Sequence, residues 1–186
     1  MKKILLLLPF LIFCKFVFSQ NTTSRLRIES GGSIYFYFNS LDQYKNGITY
    51  NNWTKVSVYF VDTTAAGATS AALWILKVKA NSNQINSDEG DITHFLPLNT
   101  IELEATYTSS TGGTATPAAM PFALSDTDQP LFTDGSQTKS PLKPTIVNIT
   151  YHCGKSITVP NNLLVPTTRF PDYYYVDIIL TLEPQP

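Results

Sequence analysis

The stretch Ile101-Glu-Leu-Glu-Ala-Thr-Tyr-Thr108 decides the fold class. Ile101, Leu103, Ala105 and Tyr107 alternate with Glu102, Glu104, Thr106 and Thr108. Side chains point to opposite faces of a strand at every second residue, so this period marks a strand with one apolar face. The same period recurs along the chain. Leu26 and Ile28 alternate in Arg25–Ser30, and Ile34, Phe36 and Phe38 alternate with Tyr35 and Tyr37. Val56, Val58 and Phe60 share a face, as do Trp74, Leu76 and Val78 with Lys77 and Lys79 opposite. Val147, Ile149 and Tyr151 form another set, and Tyr174, Val176, Ile178, Leu180 and Leu182 the last.

These patterns predict about seven antiparallel strands. Turn residues separate them: Gly31-Gly32, Lys45-Asn-Gly47, Ser87–Asp91, Thr111-Gly-Gly113, Thr133–Ser136 and Cys153-Gly-Lys155. Sheets with one apolar face must cover it, and two packed together do so most simply. The expected fold is an all-β, immunoglobulin-like β-sandwich of about seven antiparallel strands, with a β-barrel as the alternative. Trp74, in mid-strand beside Leu76 and Val78, is expected in the core. The stretch 109–144 shows little periodicity and reads as one long loop that packs partly onto the body, with room for one short strand.

The first residues predict the compartment. Lys2-Lys3 followed by the apolar run Ile4–Phe13 and then Phe18-Ser19-Gln20 is the layout of a secretory signal peptide, here 1–19. The run is shorter than the roughly 20 residues needed to span a bilayer. Phe13 and Lys15 flanking Cys14 argue against its acylation, where a small residue is expected before the cysteine. The expected mature chain, 20–186, is a single domain located in the periplasm or at the cell surface, with no membrane span after signal cleavage.

Cleavage would remove Lys2, Lys3 and Lys15 from a chain of 13 basic and 14 acidic residues, leaving it mildly acidic. Without a basic run, neither nucleic acid nor an anionic membrane is an expected partner. Cys153 would be the only remaining cysteine, so no intrachain disulfide is expected. It reads as a buried small apolar residue, with an intermolecular disulfide as the alternative.

Catalytic and metal motifs are not legible. His94 and His152 lack zinc spacing, and adjacent His152 and Cys153 point to opposite faces of a strand. Cys153-Gly-Lys-Ser156 has Ile149 where a phosphate loop needs its first glycine. The acids of Asn86–Asp91 read as a hairpin turn, with calcium ligation as the alternative. No enzyme, cofactor or metal site is expected. The binding candidates are aromatic: Tyr35, Tyr37 and Tyr59 as an outward tyrosine stripe, and Trp53, which follows Asn51-Asn52 in a freer setting.

Trp74–Ser82 followed by Leu96–Tyr107 resembles the tryptophan-strand modules of WxL-type secreted surface proteins. Arg169–Pro186 resembles the closing strand of spore-coat-U and pilin-like secreted sandwiches. The leader ending in Phe18-Ser19-Gln20 looks like those of Bacteroidetes proteins, and Asp62-Thr-Thr64 is similar to the O-glycosylation acceptor of that phylum. The resemblance implies a non-catalytic envelope or cell-surface role, and the leading expectation is a protein acting by protein–protein contact, such as a fimbrial or adhesion-associated structural subunit. A carbohydrate-binding module is the alternative. The expected partner is therefore an envelope or surface protein, or a glycan. Strand addition at an open edge is one expected mode, through the strand at Arg25–Ser30 or the last strand.

Overall fold

The computed structural model describes residues 21–63, 73–88, 93–109, 114–136, 144–154 and 173–185. The expected leader at 1–19, Thr64 and the end of the acidic turn at 89–91 lie outside them. Strands come in the order β1 (Asn21–Ser30), β2 (Ile48–Thr63), β3 (Leu73–Ala80), β4 (Gln84–Ser87), β5 (Phe95–Pro97) and β6 (Ile101–Ser109). They continue with β7 (Thr116–Pro117), β8 (Phe122–Ala123), β9 (Gln129–Gly135), β10 (Thr145–Cys153), β11 (Tyr174–Tyr175) and β12 (Ile178–Gln185). A short helix, α1 (Leu41–Asn46), precedes β2, and a 3-10 turn spans Leu98–Thr100. All strand pairs among the described residues are antiparallel.

Three sheets result. The first runs β1-β2-β10-β6-β8, the second β12-β3-β9-β7 and the third, smaller one β11-β4-β5. The architecture is an all-β sandwich, and none of the sheets closes into a barrel. The first two sheets supply most of the core. Val56, Val58 and Phe60 of β2, Leu103 of β6 and Val147 and Ile149 of β10 come from one, and Trp74, Leu76 and Val78 of β3 and Leu131 and Phe132 of β9 from the other. Trp74 is fully buried, as its place in the alternation predicts.

Two expectations need correction. The segment Ser33–Asn39 keeps its alternation, with Ile34, Phe36 and Phe38 half-buried and Tyr35 and Tyr37 exposed, but it joins no ladder and is not a strand. Side chains of β2 bind it instead. The stretch 109–144 is not one loop around a single short strand. It contributes β7, β8 and β9, and Leu131 and Phe132 are among the most deeply buried residues of the molecule.

Candidate functional site

β2 begins beside β10 with Ile48 opposite Cys153 and Tyr50 opposite Tyr151. Its pairing resumes at Thr54 opposite Ile149. Four residues of β2 therefore advance against two of β10, which is a bulge with two extra residues. Asn52 takes φ 51 there, a left-handed conformation that asparagine tolerates better than most residues. Its N–H donates to Thr150 Oγ1 at 2.9 Å. Bulges bend a strand and re-aim its side chains, and this one places Trp53 outward, 41% exposed, while Thr54 returns to the core face.

The segment after β1 is fastened onto this bend by side chains. Thr54 Oγ1 donates to Gly31 O at 2.6 Å, Trp53 Nε1 to Ser33 O at 2.9 Å and Tyr50 Oη to Tyr35 O at 3.1 Å. Three alternate carbonyls thus accept side-chain donors where a ladder would supply N–H groups. Gly31 makes the approach possible. It sits at φ 69, and a Cβ there would fall 2.2 Å from the Trp53 carbonyl oxygen.

Aromatic rings gather around the junction. Tyr50 is 5.0 Å from Trp53 and 5.2 Å from Phe36, centroid to centroid, and Phe38 is 5.4 Å from Tyr44 of α1. Tyr35 and Tyr37 lie side by side at 6.4 Å with an interplanar angle of 28°. Helix α1 is begun by Ser40, whose Oγ accepts from Gln43 N, and it carries the most exposed large apolar side chain here, Leu41. Exposed Tyr35, Tyr37, Tyr44, Trp53 and Leu41 all belong to the segment, the helix and the bulge.

Trp53, Tyr35 and Tyr37 are therefore linked through one framework. Tyr59 is not part of it. It is half-buried, six residues beyond Trp53 along β2, about 20 Å away at ordinary strand rise, and pairs with Arg25 of β1. Leu41 and Tyr44 carried no signal in the sequence, because a six-residue helix is too short to show a period.

Cys153 is buried, and burial pushes its thiol up to about 12. A thiol held protonated is a poor nucleophile and a poor redox partner. Burial also raises Tyr151, and the hydrogen bond it donates to Thr54 Oγ1 at 2.9 Å opposes that shift. His152 faces away from the core, yet is buried, with Nδ1 2.9 Å from Thr49 Oγ1 and Nε2 3.6 Å from Glu104 Oε2. Among the described residues no three His, Cys, Asp or Glu side chains are placed to hold a metal ion. No described helix is long and apolar enough to cross a membrane. No protein-family model matches the chain, and no curated protein matches it.

Proposed function

We propose that the protein is a secreted, non-catalytic envelope or cell-surface protein that works by protein–protein contact, as a fimbrial or adhesion-associated subunit would. The observation that supports this reading is the exposed aromatic surface of Tyr35, Tyr37, Tyr44 and Trp53 with Leu41. Aromatic side chains bring large contact area at low entropic cost and dominate binding energy where they cluster. This surface is preorganised by hydrogen bonds from β2, which lowers the ordering cost of association.

A carbohydrate-binding module is the second reading, and Trp53 favours it. Its indole N–H is already committed to Ser33 O, so what it offers a ligand is its ring. The tilt of 46° between Tyr50 and Trp53 gives no extended flat platform, and we therefore prefer a protein partner.

The test compares wild type with the double variant Tyr35→Ala/Tyr37→Ala. Cross-linking to envelope proteins of the host should yield a defined partner whose capture the double variant loses. A panel of polysaccharides should give no binding. Weak, salt-insensitive polysaccharide binding that Trp53→Ala abolishes would replace the first reading by the second, and a partner captured equally by the double variant would remove the aromatic surface from the account.

A further inference from the structure

The third sheet turns one face inward and one outward. Ile85 of β4 and Leu96 of β5 are buried, and Tyr174 of β11 packs against the core. By alternation their neighbours stand on the opposite face. Register sets three of these in one row across the strands, with Tyr175 of β11 opposite Asn86 of β4 and Asn86 opposite Phe95 of β5. Tyr175 is 57% exposed and Phe95 38%. Tyr173, on the same face one row along, is 78% exposed. None of these rings belongs to the surface around Trp53.

The spacing of the row follows from the ladder. Asp88 N–H donates to Tyr173 O at 2.8 Å, so these two form a hydrogen-bonded pair. Two residues along, Asn86 and Tyr175 do the same. The backbone groups of Asn86 therefore point to β11, and Asn86 and Phe95 form a non-hydrogen-bonded pair. Cα separations of roughly 5.5 Å and 4.5 Å place Tyr175 and Phe95 about 10 Å apart. Between them lies an amide that is already oriented. Gln84 Nε2 donates to Asn86 Oδ1 at 3.1 Å, and Asn86 Nδ2 has no acceptor among the described residues. The row itself carries no charge, and exposed Asp88 flanks it on β4.

We propose that this face binds a proline-rich segment of another protein in the polyproline II conformation, laid across the strands. Three residues of that helix rise about 9.3 Å, so prolines at i and i+3 reach Tyr175 and Phe95 together, each packing against an aromatic ring. An extended strand repeats its side chains at about 6.8 Å on one face and does not match this spacing. The carbonyls of a polyproline II helix bond to no group of their own chain, and Asn86 Nδ2 offers a donor between the two rings. A basic residue next to the second proline meets Asp88. The expected core of the ligand is therefore Pro-x-Arg-Pro or Pro-x-Lys-Pro. This surface is distinct from the one around Trp53, and the two stand or fall separately.

Titration of isotope-labelled protein with a synthetic peptide of two Pro-Pro-Arg-Pro units, followed by backbone amide resonances, tests this. Saturable shifts should appear at Asn86, Phe95 and Tyr175, while Tyr35 and Trp53 stay in place. The same peptide with its prolines replaced by alanine should not bind. Tyr175→Ala should weaken binding about tenfold or more, the loss of one anchor. Asp88→Asn should lower the affinity and reduce its dependence on salt. Tyr175 and Asp88 are exposed, so neither change disturbs the core. No shifts at the highest soluble peptide concentration, shifts confined to residues outside the third sheet, equal binding of the alanine peptide, equal binding by Tyr175→Ala, or shifts at these residues with a glucose hexasaccharide instead would each overturn the proposal.

Discussion

The indole of Trp74 lies over the backbone of Gly135. The two residues are register partners on β3 and β9, and a Cβ built on Gly135 would come within 2.0 Å of Trp74 Cε2. The ring's Nε1 donates to Ser136 O at 2.8 Å. The largest buried side chain thus depends on the smallest residue of the facing strand.

Gly135→Ala should therefore destabilise the fold, since the tryptophan would have to move within a packed core. Overpacking of this kind costs about 1–3 kcal/mol. Trp74→Ala should cost roughly 3–5 kcal/mol through the lost side chain and the cavity it leaves. Chemical denaturation measures both. A loss below about 1 kcal/mol for Trp74→Ala would contradict its place between the sheets.

The β2 bulge makes a second prediction. Asn52→Gly should be close to neutral, because the position is left-handed, whereas Asn52→Ala should cost about 1–2 kcal/mol. Thr150→Val should cost about 0.5–1.5 kcal/mol by removing the acceptor of the Asn52 N–H. Equal stabilities for the glycine and alanine variants would mean that the bend does not hold the left-handed conformation in solution.

Stability should fall on the alkaline side. Cys153 is raised from 9.0 to about 12 in the folded protein, so above pH 9 the unfolded chain loses this proton and the folded one keeps it. The unfolded state then binds fewer protons, and stability declines as pH rises. The contribution is fully present below pH 9 and is lost progressively up to about pH 12, at up to about 1.4 kcal/mol per pH unit for this one group. Tyr151 acts in the same direction above 10.0. Denaturation at pH 8 and pH 11 should show the drop, and Cys153→Ala should flatten it. Native protein should also resist alkylation at neutral pH and react on unfolding.

Partner binding should distinguish the tyrosines. Tyr59→Ala should leave it unchanged, because Tyr59 is half-buried and outside the aromatic framework, whereas Tyr35→Ala/Tyr37→Ala should weaken it at least tenfold, the loss of one good anchor. Capture measured side by side on the same partner checks this. Equal losses from both variants would mean that the outer face of β2 contributes as well.

Period-two alternation identified β1, β3, β6 and β10 because each presents a single face to the core in an unbroken run. It could not find β9. Leu131 and Phe132 are adjacent and both buried, and the pairing of β9 with β3 shifts register at this point. The pattern that marks a strand is erased where a strand is bulged. Ser33–Asn39 shows the opposite failure. Alternation reports which environment each side chain meets, and it is silent about whether the backbone finds a ladder. Here Trp53 and Tyr50 supply the donors instead. Of the site, the sequence named Tyr35, Tyr37 and Trp53, but it missed Tyr44 and Leu41, added Tyr59, and did not show the grouping, which rests on a bulge and a short helix.

The placement of the two tryptophans gives the protein a built-in pair of optical probes. Trp74 is sealed in the core, whereas Trp53 is partly exposed to water within the aromatic surface. A buried indole emits further to the blue than an exposed one and is shielded from soluble quenchers. Loss of the blue component therefore follows unfolding, while quenching or a shift of the red component follows events at the surface. A partner that covers Trp53 and leaves Trp74 alone would announce itself in the spectrum of unlabelled protein.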